Sequence, residues 1–255
     1  MFFDSHAHYY DEQFGTDRIE VLKKAYDSGV KYILSASSDV ASAIENISLA
    51  GQLDYVYAAV GVHPHNAVDM NSNIISTMVD LASDPKVVAI GEIGLDYFYD
   101  NSPRETQKIA FVKQIHLAVS LKLPIIVHDR DAHEDTLAIL KNENAGITGG
   151  VLHCFSGSVE MAREVLNNNF HISVGGPVTF KNAKRVVEVI KYVPDDRLMI
   201  ETDCPYLTPE PYRGRRNDSS YIRYIAEKIA EIKGMTVADI AEITTENAKR
   251  LFNIN

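Results

Sequence analysis

The N-terminal run Met1-Phe2-Phe3-Asp4-Ser5-His6-Ala7-His8 reads as a short apolar strand ending in two histidines two residues apart. The pleat of a strand aims both imidazoles to one side, which is how a metal is held. Four more potential ligands stand singly along the chain, each after another apolar, β-branched run: Glu92 after Val87-Val88-Ala89-Ile90, His128 after Ile125-Ile126-Val127, His153 after Val151-Leu152, and Asp203 after Met199-Ile200-Glu201. A lone histidine at a strand end is usually a hydrogen-bonded structural residue. Six imidazole or carboxylate groups repeating one placement are a site.

Working outward, apolar strands alternate with amphipathic segments from end to end. Helical patterns cover Arg18 to Asp27, Val40 to Gln52, Asn73 to Ala82, Arg104 to Leu121, His133 to Asn142, Val159 to Asn167 and Asn182 to Ile190. Strands fall at Lys31 to Leu34, Tyr55 to Val60, Val87 to Ile90, a fifth opened by Pro124, Gly150 to Leu152, Phe170 to Val174 and Leu198 to Ile200. Ser102-Pro103-Arg104-Glu105 reads as a capping box with Pro at the first helical position. This rhythm predicts an α/β protein, a TIM (β/α)8 barrel in a single domain over 1–255, with additional C-terminal helix at Tyr221 to Ile232 and Val237 to Leu251 covering the closing strand. A parallel barrel gathers the C-terminal ends of its strands around one mouth. His6, His8, Glu92, His128, His153 and Asp203 are therefore expected to converge, with His63 and His65 of Gly61-Val62-His63-Pro64-His65 beside them.

Glu92 lies between glycines in Gly91-Glu92-Ile93-Gly94-Leu95-Asp96, where substrate can approach closely. It can bridge two cations, with His6 and His8 on one ion and His128 and His153 on the other. Asp203 can ligate the first ion and take the proton of an attacking water. Glu201 shares the side of Asp203 and is expected deeper, as the partner of a ligand histidine. His63 and His65 could orient substrate, bind a further ion or cap a loop. Arg130, Lys181 and Arg213, the last within Tyr212-Arg213-Gly214-Arg215-Arg216-Asn217, are candidate phosphate contacts in mouth loops. Histidine and carboxylate donors suit Zn, Mn, Co or Ni, and Mg less well. Neither Ser156 nor Cys204 has the spacing of a nucleophile elbow.

The bulk numbers bound the rest. The 255 residues are 45% hydrophobic and 24% charged, with no apolar run long enough to span a bilayer. Asp4 and His6 interrupt the apolar start and no basic segment precedes it, so no signal peptide and a cytoplasmic location are expected. Cys154 and Cys204 form no disulfide framework and are expected as small buried fillers. A net charge of -10 disfavours nonspecific nucleic-acid binding, so a phosphate-bearing substrate would be caught by metals and a local basic cluster.

Seven stretches together resemble the TatD family of metal-dependent deoxyribonucleases, within the wider amidohydrolase-like barrels. They are Asp4-Ser5-His6-Ala7-His8, Gly61-Val62-His63-Pro64-His65, Gly91 to Asp96, His128-Asp129-Arg130, His153-Cys154-Phe155-Ser156-Gly157, Gly175 to Lys181, and Glu201-Thr202-Asp203-Cys204-Pro205-Tyr206-Leu207. The resemblance implies a first metal on His6, His8, Glu92 and Asp203 and a second on Glu92, His128 and His153, with Mg, Mn or Zn as candidates. It further implies hydrolysis of DNA phosphodiester bonds, most typically as a 3′ to 5′ exonuclease on single-stranded DNA. Members acting on misacylated tRNA leave a non-DNA ester or amide as the alternative, and a small-molecule hydrolase or a non-catalytic metal-binding protein as further readings. After Asn217 the family often has Glu-Pro, where this chain has Asp218-Ser219.

Overall fold

A computed structural model describes residues 1–255. Eight parallel strands pair in sequence order: β1 (Phe2–Ala7), β2 (Val30–Ala36), β3 (Val56–Val60), β4 (Val87–Asp96), β5 (Ile125–Arg130), β6 (Gly150–Leu152), β7 (Phe170–Val174) and β8 (Leu198–Ile200). Around them run α1 (Arg18–Asp27), α2 (Val40–Gln52), α3 (Ser72–Leu81), α4 (Arg104–Leu121), α5 (His133–Asn142), α6 (Val159–Asn167), α7 (Lys184–Tyr192), α8 (Ile222–Lys233) and α9 (Val237–Phe252). The fold is the expected TIM barrel. None of the helices is long and apolar enough to cross a membrane.

Two apolar layers hold it together. Phe3, Leu34, Ala59, Ala89, Ile126, Val151 and Met199 meet inside the barrel, where Ala248 and Phe252 of α9 and Ile254 plug its floor. The opposite strand faces, with Ile33, Ile90, Val127, Ile172 and Ile200, pack on helix residues such as Leu22, Phe111, Ile115, Val165 and Ile225. The seam between β1 and β8 is closed largely by side chains. The buried carboxylate of Asp4 accepts from the backbone N–H of Thr202 at 2.8 Å and from the hydroxyls of Thr202 and Ser219 at 2.5 and 2.6 Å. Ser5 Oγ donates to the Ile200 carbonyl at 2.9 Å.

Irregularities in two strands aim the mouth residues. Phe3 joins the interior cluster and Ala7 the outer one, and the pairing of β1 with β2 shifts between Asp4 and Ala7. Strict alternation from Phe3 would turn His6 outward; the shift turns it in, beside His8. A second shift, between Ile90 and Ile93 in the β4–β5 pairing, does the same for Glu92. At Gly94, φ is +143°, and a Cβ would lie 2.0 Å from the His128 carbonyl oxygen, so only glycine lets β4 approach β5 here.

Several boundaries differ from the sequence reading. β4 continues six residues past Ile90 to Asp96 and β5 runs to Arg130, so Glu92 and His128 lie within strands rather than after them. Polar side chains there pack against one another across the mouth, and hydrophobic periodicity cannot see that. The capping box at Ser102 does not form. Pro103 occupies the N-cap without a side-chain bond, and Ser102 Oγ instead donates to the His65 carbonyl at 2.8 Å. Cys204 is a buried filler, whereas Cys154 is only half-buried in a loop at φ +41°.

His171 on β7 is buried, and burial, helped by the charge of Arg197, pushes its pKa down to about 4. The folded protein thus keeps this imidazole neutral where an unfolded chain takes up a proton. Stability is expected to fall as pH drops from about 6.5 to about 4, by on the order of 3 kcal/mol at most. Urea titrations of wild type and His171→Gln across this range should diverge in slope; parallel curves would refute the assignment.

Candidate metal centre

β1, β4 and the turn after β8 bring the first donor set together. His8 Nε2 lies 3.1 Å from both His6 Nε2 and Asp203 Oδ1, while Glu92 Oε2 lies 3.2 Å from His6 Nε2 and 3.6 Å from His8 Nε2. Donors held about 2.1 Å from one tetrahedral cation stand about 3.4 Å from each other. These separations match that.

The second set uses the other oxygen of the same carboxylate. Glu92 Oε1 lies 2.7 Å from His128 Nδ1 and 2.7 Å from His153 Nε2, which are 3.2 Å apart, with His63 Nε2 at 3.6 Å. Glu92 is 3% exposed and His6 wholly buried. Burial opposes the charge on Glu92, but the imidazoles of His153, His6 and His63 and a hydrogen bond with His128 hold its carboxyl well below the usual range. Asp203 is held low against burial by its bond with His8. The Nδ1 atoms of His6 and His8 are buried without a partner. Imidazole nitrogens and carboxylate oxygens packed this closely around the two oxygens of Glu92 are a donor set that fits divalent cations.

Sequence reasoning places these six residues at one mouth, and the structure brings their ligand atoms together there in overlapping groups, each within 4.8 Å of one another. Glu201 Oε1 accepts from the Cys154 N–H at 2.6 Å and lies 3.4 Å from His153 Nδ1. His63 lies against the second set. His65 lies one step out, its Nε2 3.0 Å from Asp96 Oδ2.

Sequence reasoning misses Asp96 as a site residue. It is 1% exposed, and its Oδ2 also meets His128 Nε2 at 3.1 Å. Burial opposes its charge, yet these imidazoles and the backbone N–H groups of Phe98 and Tyr99 keep its carboxyl far below the ordinary range. The available signal is its position four residues after Glu92 in a glycine-interrupted strand. Arg130, Lys181 and Arg213 are all exposed. Arg130 lies over Phe98 and Arg213 over Phe180, with guanidinium carbons 4.3 and 4.2 Å from the ring centres. Arg216 is committed to Asp17 through two bonds of 2.9 and 2.6 Å.

Against known proteins, a family model described as TatD related DNase matches residues 3–253. The chain belongs to the TatD family. It is 52% identical over 255 residues, with full coverage of both chains, to the uncharacterized metal-dependent hydrolase YabD of Bacillus subtilis. A second TatD relative, the 3′-5′ ssDNA/RNA exonuclease TatD of Erwinia tasmaniensis, is 35% identical over 99% of this chain and 100% of its own. The crystal structure of YjjV, a TatD homologue from Escherichia coli K12, superposes with a TM-score of 0.93 at 30% identity, covering 100% of this chain and 98% of that one. The protein is therefore a metal-dependent hydrolase of the TatD family.

Replacing Asp96 by Asn removes the charge that fixes the His128 ring. It is expected to weaken metal binding at the His128 and His153 side by about 10- to 100-fold while the fold persists. Metal titration calorimetry of the two proteins checks this, and equal affinities would count against the role.

Proposed function

We propose that the protein is a two-metal phosphodiesterase that shortens single-stranded DNA from its 3′ end. The supporting observation is the division of labour at Glu92, whose Oε2 faces His6 and His8, themselves beside Asp203, while Oε1 faces His128 and His153. In this reading, His6, His8, Glu92 and Asp203 hold one divalent ion and Glu92, His128 and His153 a second. Mg, Mn or Zn, when bound there, would acidify a water and neutralise charge on the phosphate.

The chain supplies the rest. Asp203 keeps a carboxylate at neutral pH because His8 holds its pKa down, and its side chain is 13% exposed at the mouth. One oxygen meets His8; the other is the acceptor for the proton of the attacking water. Glu201 restrains the His153 ring, and Asp96 restrains His128. Arg130, Lys181 and Arg213 supply the phosphate contacts that a chain of net charge -10 lacks overall. His63 and His65 border the scissile group. The half-buried thiol of Cys154 is raised by burial well above its usual range and is unsuited to act as a nucleophile.

End-labelled single-stranded DNA with Mn or Mg is expected to shorten stepwise from the 3′ end, and a chelator should stop it. Asp203→Asn should lower kcat by about 10²- to 10⁴-fold. Wild type that leaves DNA intact with every divalent ion, or a variant with unchanged turnover, would overturn the proposal.

A further inference from the structure

The loop after β4 carries two of the most open aromatic residues in the molecule, Phe98 at 56% and Tyr99 at 54% exposure. Their rings meet edge to face, 4.9 Å apart and at 89°. The guanidinium carbon of Arg130, from the end of β5, sits 4.3 Å from the Phe98 ring centre and 5.0 Å from that of Tyr99. Single exposed rings are ordinary, but adjoining exposed rings that form one apolar patch mark a site for a ligand or partner.

Their attachment to the metal centre indicates which ligand. One oxygen of Asp96 accepts from the N–H groups of Phe98 at 3.0 Å and Tyr99 at 2.8 Å, while the other faces His128 and His65 at 3.1 and 3.0 Å. A single buried carboxylate thus fixes the loop and a candidate ligand histidine together. The Tyr99 ring also packs edge-on to His65, 5.4 Å between centres. The rings are thereby tied to the edge of the candidate metal centre.

Resting on the phosphodiesterase reading, we infer that Phe98, Tyr99 and Arg130 form a stacking platform for a nucleobase beside the scissile phosphate. Every base has a flat π-face, so such a platform accepts any sequence, but a paired and stacked base cannot reach it. Arg130, braced on the rings, keeps its fork free for the adjoining phosphate. The platform would set both the strand preference of the enzyme and the spacing between base and cut.

The test removes the base and the rings separately. Oligodeoxynucleotides carrying one abasic site at the first, second or third position from the 3′ end, and an intact control, are bound to wild type and to the Phe98→Ala/Tyr99→Ala double variant in chelator, and read by fluorescence anisotropy. Loss of the platform base is expected to weaken wild-type binding about tenfold at one position and to leave the double variant nearly unaffected. The rings lie at the surface, so the variant should melt with wild type. Equal losses in both proteins at every position, or no loss in either, would overturn the platform. Cleavage with Mn is scored in parallel: cleavage without base-dependent binding refutes the platform alone, and base-dependent binding without cleavage refutes the nuclease reading alone.

Discussion

The structure turns on one buried carboxylate that must face two ways. Glu92 is almost completely removed from water, and an isolated charge there would be costly. Its oxygens are instead surrounded by His6 and His8 on one side and His128, His153 and His63 on the other. Those histidines come from β1 and the residue just past it, β5, and the turns after β3 and β6, so the requirement is met only when the barrel is fully formed. Elements far apart in sequence are thereby tied to one atom pair.

The barrel bends its own regularity to satisfy that requirement. Registers shift in β1 before His6 and in β4 at Glu92, and glycine at Gly94 lets β4 come close to β5. Apolar packing inside the barrel and beneath the helices supplies stability away from the mouth, which leaves the mouth free to hold unfavourable polar geometry. Buried carboxylates then extend the order outward: Glu201 toward His153, Asp96 toward His128 and His65, and Asp4 across the seam between β1 and β8.

Much of this is legible in the order of residues along the chain. Repeated βα units spell out the barrel, and histidines and carboxylates recurring after apolar runs mark the six residues that meet at its mouth. The exceptions share a cause. The extent of β4, the misread cap at Ser102 and the importance of Asp96 all depend on polar groups finding partners from distant segments. Ser102 serves His65, 37 residues away, and Asp96 serves His128, 32 residues away, so neither local propensity nor periodicity reports them. The arginine cluster also divides only in three dimensions, with Arg216 spent on Asp17 and Arg213 stacked on Phe180.

The amino-acid sequence by itself determined the architecture and the inventory of candidate donors, because the alternation of apolar strands and amphipathic helices is local, and so is the chemistry of each side chain. Only the tertiary structure decided which oxygen of Glu92 faces which histidines, that Asp96 joins His128 to an aromatic loop, and which basic side chains remain free. Those outcomes rest on distances of about 3 Å between residues far apart along the chain, and such distances exist only once the barrel has closed.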